Sequence, residues 1–237
     1  MIKSLPICHL NTVLLTKLQS HFIDLKFMQI DIEFKKELSL LPDKEKDKLV
    51  LRLLRRDKKL AKRLHYELIG AFTKEDLQND FFENVNEAFE EIKSYRFAPI
   101  HLSRSLRKLS SEIASYLFTT KDKHGQVWLN LYLLNKSFEF FSGEIDSHIG
   151  TEKGRKLAVY MINKTINTLA IIKKLDPDLY IDFDKELTSL GESFERNEGI
   201  AQMCNYHGFN ISWLFDRNIP DNIDSIRKNL RSKGFLK

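Results

Sequence analysis

Five carboxylates crowd into eleven residues, at Asp176, Asp178, Asp182, Asp184 and Glu186. On a helix Asp178, Asp182 and Glu186 would share one face. Such a row offers hard oxygen ligands to Mg²⁺ or Ca²⁺, so a metal-dependent hydrolase is one reading, although the stretch lacks the glycine turn of a calcium loop. Cys204 and His207 form a Cys-x-x-His pair with no second pair to complete a zinc site. Glu144 and His148 stand four residues apart, where a helix end would let them share a metal or simply face water. Phosphate loops of the GxxxxGKS or GxxxxGKT kind, GxGxxG turns, HExxH pairs and GxSxG elbows are all missing, which removes the common signals for nucleotide binding, zinc proteolysis and serine hydrolysis. No catalytic residue and no cofactor follow from the sequence, and the expectation is a protein that binds rather than turns over.

Charge is the stronger signal. Between Lys44 and Arg63 stand ten Lys and Arg against Glu45, Asp47 and Asp57. Lys48, Arg52, Arg55, Lys59 and Lys62 fall at spacings of four, three, four and three, which reads as one helical face, with Arg56 beside it. Asp76, Asp80, Glu83, Glu87 and Glu90 repeat the spacing with the opposite sign. Like charges at i and i+4 cost an isolated helix roughly 0.2 to 0.5 kcal/mol per pair, so rows this long suggest something opposite them. The leading expectation is each other, with Lys59, Lys62 and Arg63 set beside the acidic row by antiparallel packing. The alternatives are a solvated face and a face for nucleic-acid phosphates, the latter helped by Arg104, Arg107 and Lys108 and by a tail carrying Arg227, Lys228, Arg231, Lys233 and Lys237. Tyr95, Phe97, Tyr116, Trp213 and Phe235 would stack bases in that case, and otherwise belong to the core.

The elements that must hold these residues are organised around Val127 to Phe141, VWLNLYLLNKSFEFF. Among its fifteen residues only Asn130, Asn135, Lys136, Ser137 and Glu139 are polar. Its first residues alternate as a strand would, but from Leu131 the set Leu131, Leu134, Phe138 and Phe141 takes over at helical spacing, and helix is the expectation. A helix so apolar belongs in the middle of a packed domain. It is too short to cross a bilayer, which takes roughly twenty apolar residues. Around it the sequence predicts amphipathic helices over about 11–38, 43–55, 58–69, 74–95, 99–118, 151–175 and 177–190, and a less regular tail ending in a helix led by Pro220. Thr73 with Asp76 resembles a capping box, and Gly70 marks a helix end.

At 237 residues the chain can bury a sizeable core. Nine glycines and five prolines are few for an all-β architecture. Two cysteines, Cys8 and Cys204, support neither a disulfide framework nor a thiolate cluster and fit a reducing compartment. The N-terminal MIKSLPICHLNTVLL carries no cleavage pattern, so a cytoplasmic, unprocessed chain without a membrane segment is expected.

The stretch from Leu40 to Phe141 resembles a family of uncharacterised, predominantly helical bacterial proteins. The residues carrying the likeness are Leu49 to Leu54 with the basic run behind them, Leu64-His65-Tyr66-Glu67-Leu68, Phe89-Glu90-Glu91-Ile92, Ser105-Leu106-Arg107-Lys108 and the leucine-rich central segment. The resemblance implies a helical fold and no activity.

The expectation is therefore an all-α protein: an elongated, irregular, antiparallel bundle of eight to ten helices in one domain over 1–237, with a soft boundary near 142–154. Its expected role is a non-enzymatic helical scaffold or protein-interaction module of unspecified partner and oligomeric state. Nucleic-acid binding through Lys48, Arg52, Arg55, Arg56, Lys59 and Lys62 is the alternative, and the metal-dependent hydrolase a second one.

Overall fold

Helix starts in this chain are written in short polar side chains. Asp31 accepts from the Glu33 amide, Asp122 from Gly125 at 3.0 Å, Thr151 from Gly154 at 3.0 Å and Asn197 from Ile200 at 3.0 Å. The Thr73–Asp76 capping box forms in both directions, with the Asp76 carboxylate accepting from the Thr73 amide at 2.8 Å and Thr73 Oγ1 from the Asp76 amide at 3.1 Å. The computed structural model describes residues 31–234, and these are all-α, with ten helices and no strand.

The helices are α1 (Ile32–Leu40), α2 (Asp43–Arg56), α3 (Lys58–Ile69), α4 (Lys74–Ser94), α5 (Pro99–Thr120), α6 (Lys123–His148), α7 (Glu152–Ile172), α8 (Asp184–Arg196), α9 (Glu198–Tyr206) and α10 (Ile223–Ser232). Short 3-10 segments lie at Pro177–Phe183 and Ile211–Leu214. The chain divides into two compact units, Met1–Lys58 and Lys59–Lys237. In the first, the long run expected over 11–38 lies mostly outside the described residues, and a helix begins afresh at Ile32 behind the Asp31 cap. No residue of α1 or α2 is buried, and Ile32, Phe34, Leu40, Val50, Leu51 and Leu53 are exposed.

The second unit is built around α6, which touches α4, α5, α7, α8 and α9. Val127, Leu129, Leu131, Leu133, Leu134, Phe138 and Phe141 are all buried along it, so the strand-like alternation at its start reflects a helix enclosed on nearly every side. The helix runs well past Phe141, to His148, with a break in helical geometry at Phe141 (φ −136°, ψ 21°). The Phe141 ring there meets Phe89 and Phe97, each at 5.4 Å between centroids. On α4 the buried stripe is Phe81, Val85, Phe89 and Ile92, and on α5 Leu102, Leu106, Leu109, Ile113 and Tyr116. α7 is buried on most of its circumference. Among the described residues no helix is long and apolar enough to cross a membrane.

Two expected elements change. Residues 177–183 form a 3-10 segment rather than the first turns of an α-helix. The basic row is also interrupted, because Asp57 is extended (φ −109°, ψ 90°) and separates α2 from α3. Lys48, Arg52 and Arg55 therefore belong to one helix and Lys59 and Lys62 to another.

Candidate functional site

The acidic row on α4 faces water, since Asp76, Asp80, Glu83, Glu87 and Glu90 are all exposed. Expected pairing with α3 is not what the side chains do. Arg63 Nε donates to Glu67 on its own helix at 2.7 Å and lies over the Phe118 ring, Lys62 Nζ lies 6.0 Å from the Phe72 ring, and Glu90 pairs with Lys93. Among the described residues no ion pair joins Lys62 or Arg63 to that row. Arg63 and Glu90 are met within their own helices, where i,i+3 and i,i+4 partners are close at hand.

On α2, Lys48 donates to Glu45 at 2.8 Å, while Arg52, Arg55 and Arg56 are exposed and have no carboxylate partner among the described residues. On α5, Arg104, Arg107 and Lys108 are exposed, and the Arg107 guanidinium lies 4.9 Å from the centre of the Tyr160 ring. Of the aromatics, Phe97, Tyr116 and Trp213 pack inward, Tyr95 is exposed, and Phe235 lies outside the described residues.

The carboxylates of 176–186 are spread apart. With about three residues per turn in a 3-10 segment, positions four apart no longer share a face. Asp182 meets His124 Nε2 at 2.9 Å, Asp184 accepts from Arg217 at 2.9 Å, and Asp176 caps its own turn. His148 Nδ1 sits 2.8 Å from the Glu144 carbonyl oxygen rather than its carboxylate. Cys204 is buried, which pushes its thiol up to about 12, and burial also lowers the His207 pKa. Among the described residues no three His, Cys, Asp or Glu side chains are grouped to hold a metal ion.

The most constructed polar site is one the motif search missed. Ser110 from α5, Gln126 and Asn130 from α6, and Tyr160, Asn163 and Lys164 from α7 line a cavity of about 260 Å³. Lys164 Nζ donates to Asn130 Oδ1 at 2.5 Å and to Ser110 Oγ at 2.8 Å. Asn130 is held in turn by its Nδ2 donating to the Gln126 carbonyl at 2.8 Å. Tyr160 donates to the Leu106 carbonyl at 3.2 Å and lies 2.8 Å from Ser110, so Ser110 spends its proton on the tyrosine and turns its lone pairs to the lysine.

Electrostatically the site is one-sided. Both Lys164 partners are neutral oxygens, and burial without a counter-charge pushes its pKa down to about 8. Asn163 and Asn167, the latter also lining the cavity, accept from two α10 guanidiniums: Arg231 at 2.8 Å and Arg227 at 2.9 Å. The carboxylate near them, Asp224, is engaged by Lys174 at 2.6 Å and Arg227 at 3.0 Å.

A signal for this site was present in the sequence. Residues 153–175 contain no Asp or Glu, so Lys164 has no acidic partner within reach on its own helix, and Asn130 interrupts the greasiest run in the chain. What the sequence did not show is that the two positions face each other. No protein-family model matches the chain, and no curated protein or solved structure matches it either.

Proposed function

We propose that the chain is a non-enzymatic helical interaction module acting in the cytoplasm, and that α2 makes the contact. The observation that carries this is the pairing, on one helix, of exposed leucines with arginines that have no carboxylate partner among the described residues. Val50, Leu51 and Leu53 are 48%, 55% and 59% exposed, and Arg52, Arg55 and Arg56 stand among them with no acid between Leu49 and Arg56. Arg52, Arg55 and Arg56 share a face by their i, i+3, i+4 spacing. A solvated helix needs charge but not leucine, and a contiguous exposed apolar face marks a surface that is covered in use. The complementary occupant is an amphipathic protein helix with an acidic rim: apolar contact supplies affinity, and the rim charges set on-rate and register.

A second reading, nucleic acid bound through Arg52, Arg55 and Arg56 with Arg104, Arg107 and Lys108, is favoured by the exposure of all six. It leaves the leucines unexplained. Affinity capture from native lysate at two salt concentrations, with and without nuclease, separates the two. A protein partner retained after nuclease, and lost both in Arg52→Glu/Arg55→Glu/Arg56→Glu and in Leu51→Ser/Leu53→Ser, supports the interaction module. Loss on nuclease treatment, with a steep salt dependence that the leucine variant keeps, replaces it with the nucleic-acid reading.

A further inference from the structure

We infer that the cavity between α5, α6 and α7 is a binding site for a small oxyanion, the phosphate or carboxylate group of a low-molecular-weight ligand, with Lys164 as its central donor. This goes beyond the α2 contact and does not depend on it.

Lys164 is half-buried, and an ammonium ion drawn out of water is normally met by a carboxylate. Among the described residues Lys164 is met by Asn130 Oδ1 and Ser110 Oγ alone, and the two account for two of its three N–H donors. Those partners are themselves fixed, Asn130 by the Gln126 carbonyl and Ser110 by Tyr160, so the lysine is held in position rather than folded out to water. Holding a cation this way costs stability, and a fold with no use for it would do better with an apolar side chain of the same length.

The lining brings no carboxylate to Lys164. Tyr160 from its own helix is the titratable neighbour in the lining; farther out, Arg107 from α5 lies over the Tyr160 ring, Arg227 and Arg231 from α10 donate to Asn167 and Asn163, and Asp224 pairs with Arg227. Gln126 and Asn130 from α6 are neutral. Asp224 is already shared between Lys174 and Arg227. Donors outnumber free acceptors in the lining, which suits a ligand that only accepts. A volume of about 260 Å³ suits a small molecule.

Bound anion would also return the lysine to its charged form. Near pH 8 the free site is about half protonated, so binding an anion that does not itself titrate there takes up roughly half a proton.

The test is calorimetry of the full chain with sodium sulfate and, separately, sodium acetate at constant ionic strength, in buffers of different ionisation enthalpy at pH 8. Saturable binding is expected. Sulfate preferred over acetate would point to a phosphate-bearing ligand, and the reverse to a carboxylate. The heat should vary with buffer, reporting the proton uptake. Both Lys164→Met and Lys164→Gln should weaken binding roughly tenfold or more and remove the buffer dependence, because a charge-assisted hydrogen bond is lost. Lys153→Ala, on the exposed first turn of α7, should change neither. Circular dichroism of the variants establishes that they are folded. No saturable binding of either anion to the folded parent chain, or binding that Lys164→Gln leaves intact, would overturn the assignment.

Discussion

The side chain of Asn197 donates to the backbone carbonyl of Ser142 at 3.0 Å, one residue beyond the break in α6. The same buried amide accepts from Ile200 at 3.0 Å as the N-cap of α9, and the next turn is tied back when Gly199 donates to Asp146 at 2.9 Å. Asn197 thus closes α8 with its backbone N–H to the Ser193 carbonyl, while its side chain opens α9 and satisfies a carbonyl in the far part of α6. Asn197→Ala should cost about 2–4 kcal/mol, combining the loss of a cap with a carbonyl left unsatisfied. Urea unfolding should show a lower midpoint at unchanged slope. A loss confined to a few tenths of a kcal/mol would mean the contact with Ser142 contributes nothing.

Glycines in neighbouring positions should respond in opposite directions. A Cβ at Gly199 would come within 2.6 Å of Ile149 Cγ2, and one at Gly154 would strike the His148 carbonyl oxygen, which is backbone and cannot swing aside. At Gly143 nothing lies within 4 Å. Gly154→Ala and Gly199→Ala should therefore destabilise by about 1–3 kcal/mol, while Gly143→Ala should stabilise by about 0.5–1 kcal/mol through helix propensity alone. Thermal melts of the three variants side by side decide this.

Stability should depend on pH through Lys164 in a definite sense. Its pKa falls from 10.5 to about 8 on folding, so between those values the unfolded chain holds the proton that the folded chain has released. Folding stability contributed by this group rises as pH rises through that window and is lowest below it. Cys204 and Tyr116, whose burial raises their pKa values, act the other way above their ordinary values of 9.0 and 10.0. The difference between the parent chain and Lys164→Met isolates the lysine. Relative to that variant, the parent should gain stability from pH 8 to 10, and a flat difference would contradict the burial of an uncompensated ammonium.

Asp122 governs the acid side. Burial pushes its pKa up, but the Gly125 amide, the Tyr116 hydroxyl at 2.8 Å and the charges of Lys74 and His124 outweigh it and hold the carboxyl below its usual value. The stability from this group is present above the ordinary carboxylate range and is lost as pH falls through the lowered value. Asp122→Asn should weaken the fold by about 1–2 kcal/mol at pH 7 and by less near pH 3. Unfolding free energies at the two pH values provide the check.

Much of the architecture was legible in the chain itself. The greasy segment 127–141 is the helical hub, the capping box at Thr73 forms with Asp in place of the usual Glu, and Gly70 ends its helix with φ +62°. These features are local: periodicity, caps and positive-φ turns depend on residues within a few positions of one another, and so they can be read in order. The opposite holds for the 3-10 segment at 177–183, where Phe183 is buried against His124, a contact made across the fold rather than along it.

The charge rows show the limit of spacing as a guide. Lys48 to Lys62 kept helical spacing in sequence, but the extended backbone at Asp57 resets its phase, and the acidic row found water and in-helix partners instead of a facing helix. The helices, their caps and the central helix came from residue order alone. Which polar residues meet did not, because Lys164, Asn130 and Ser110 lie tens of residues apart on three helices, and only packing of α5, α6 and α7 brings an ammonium against two neutral oxygens.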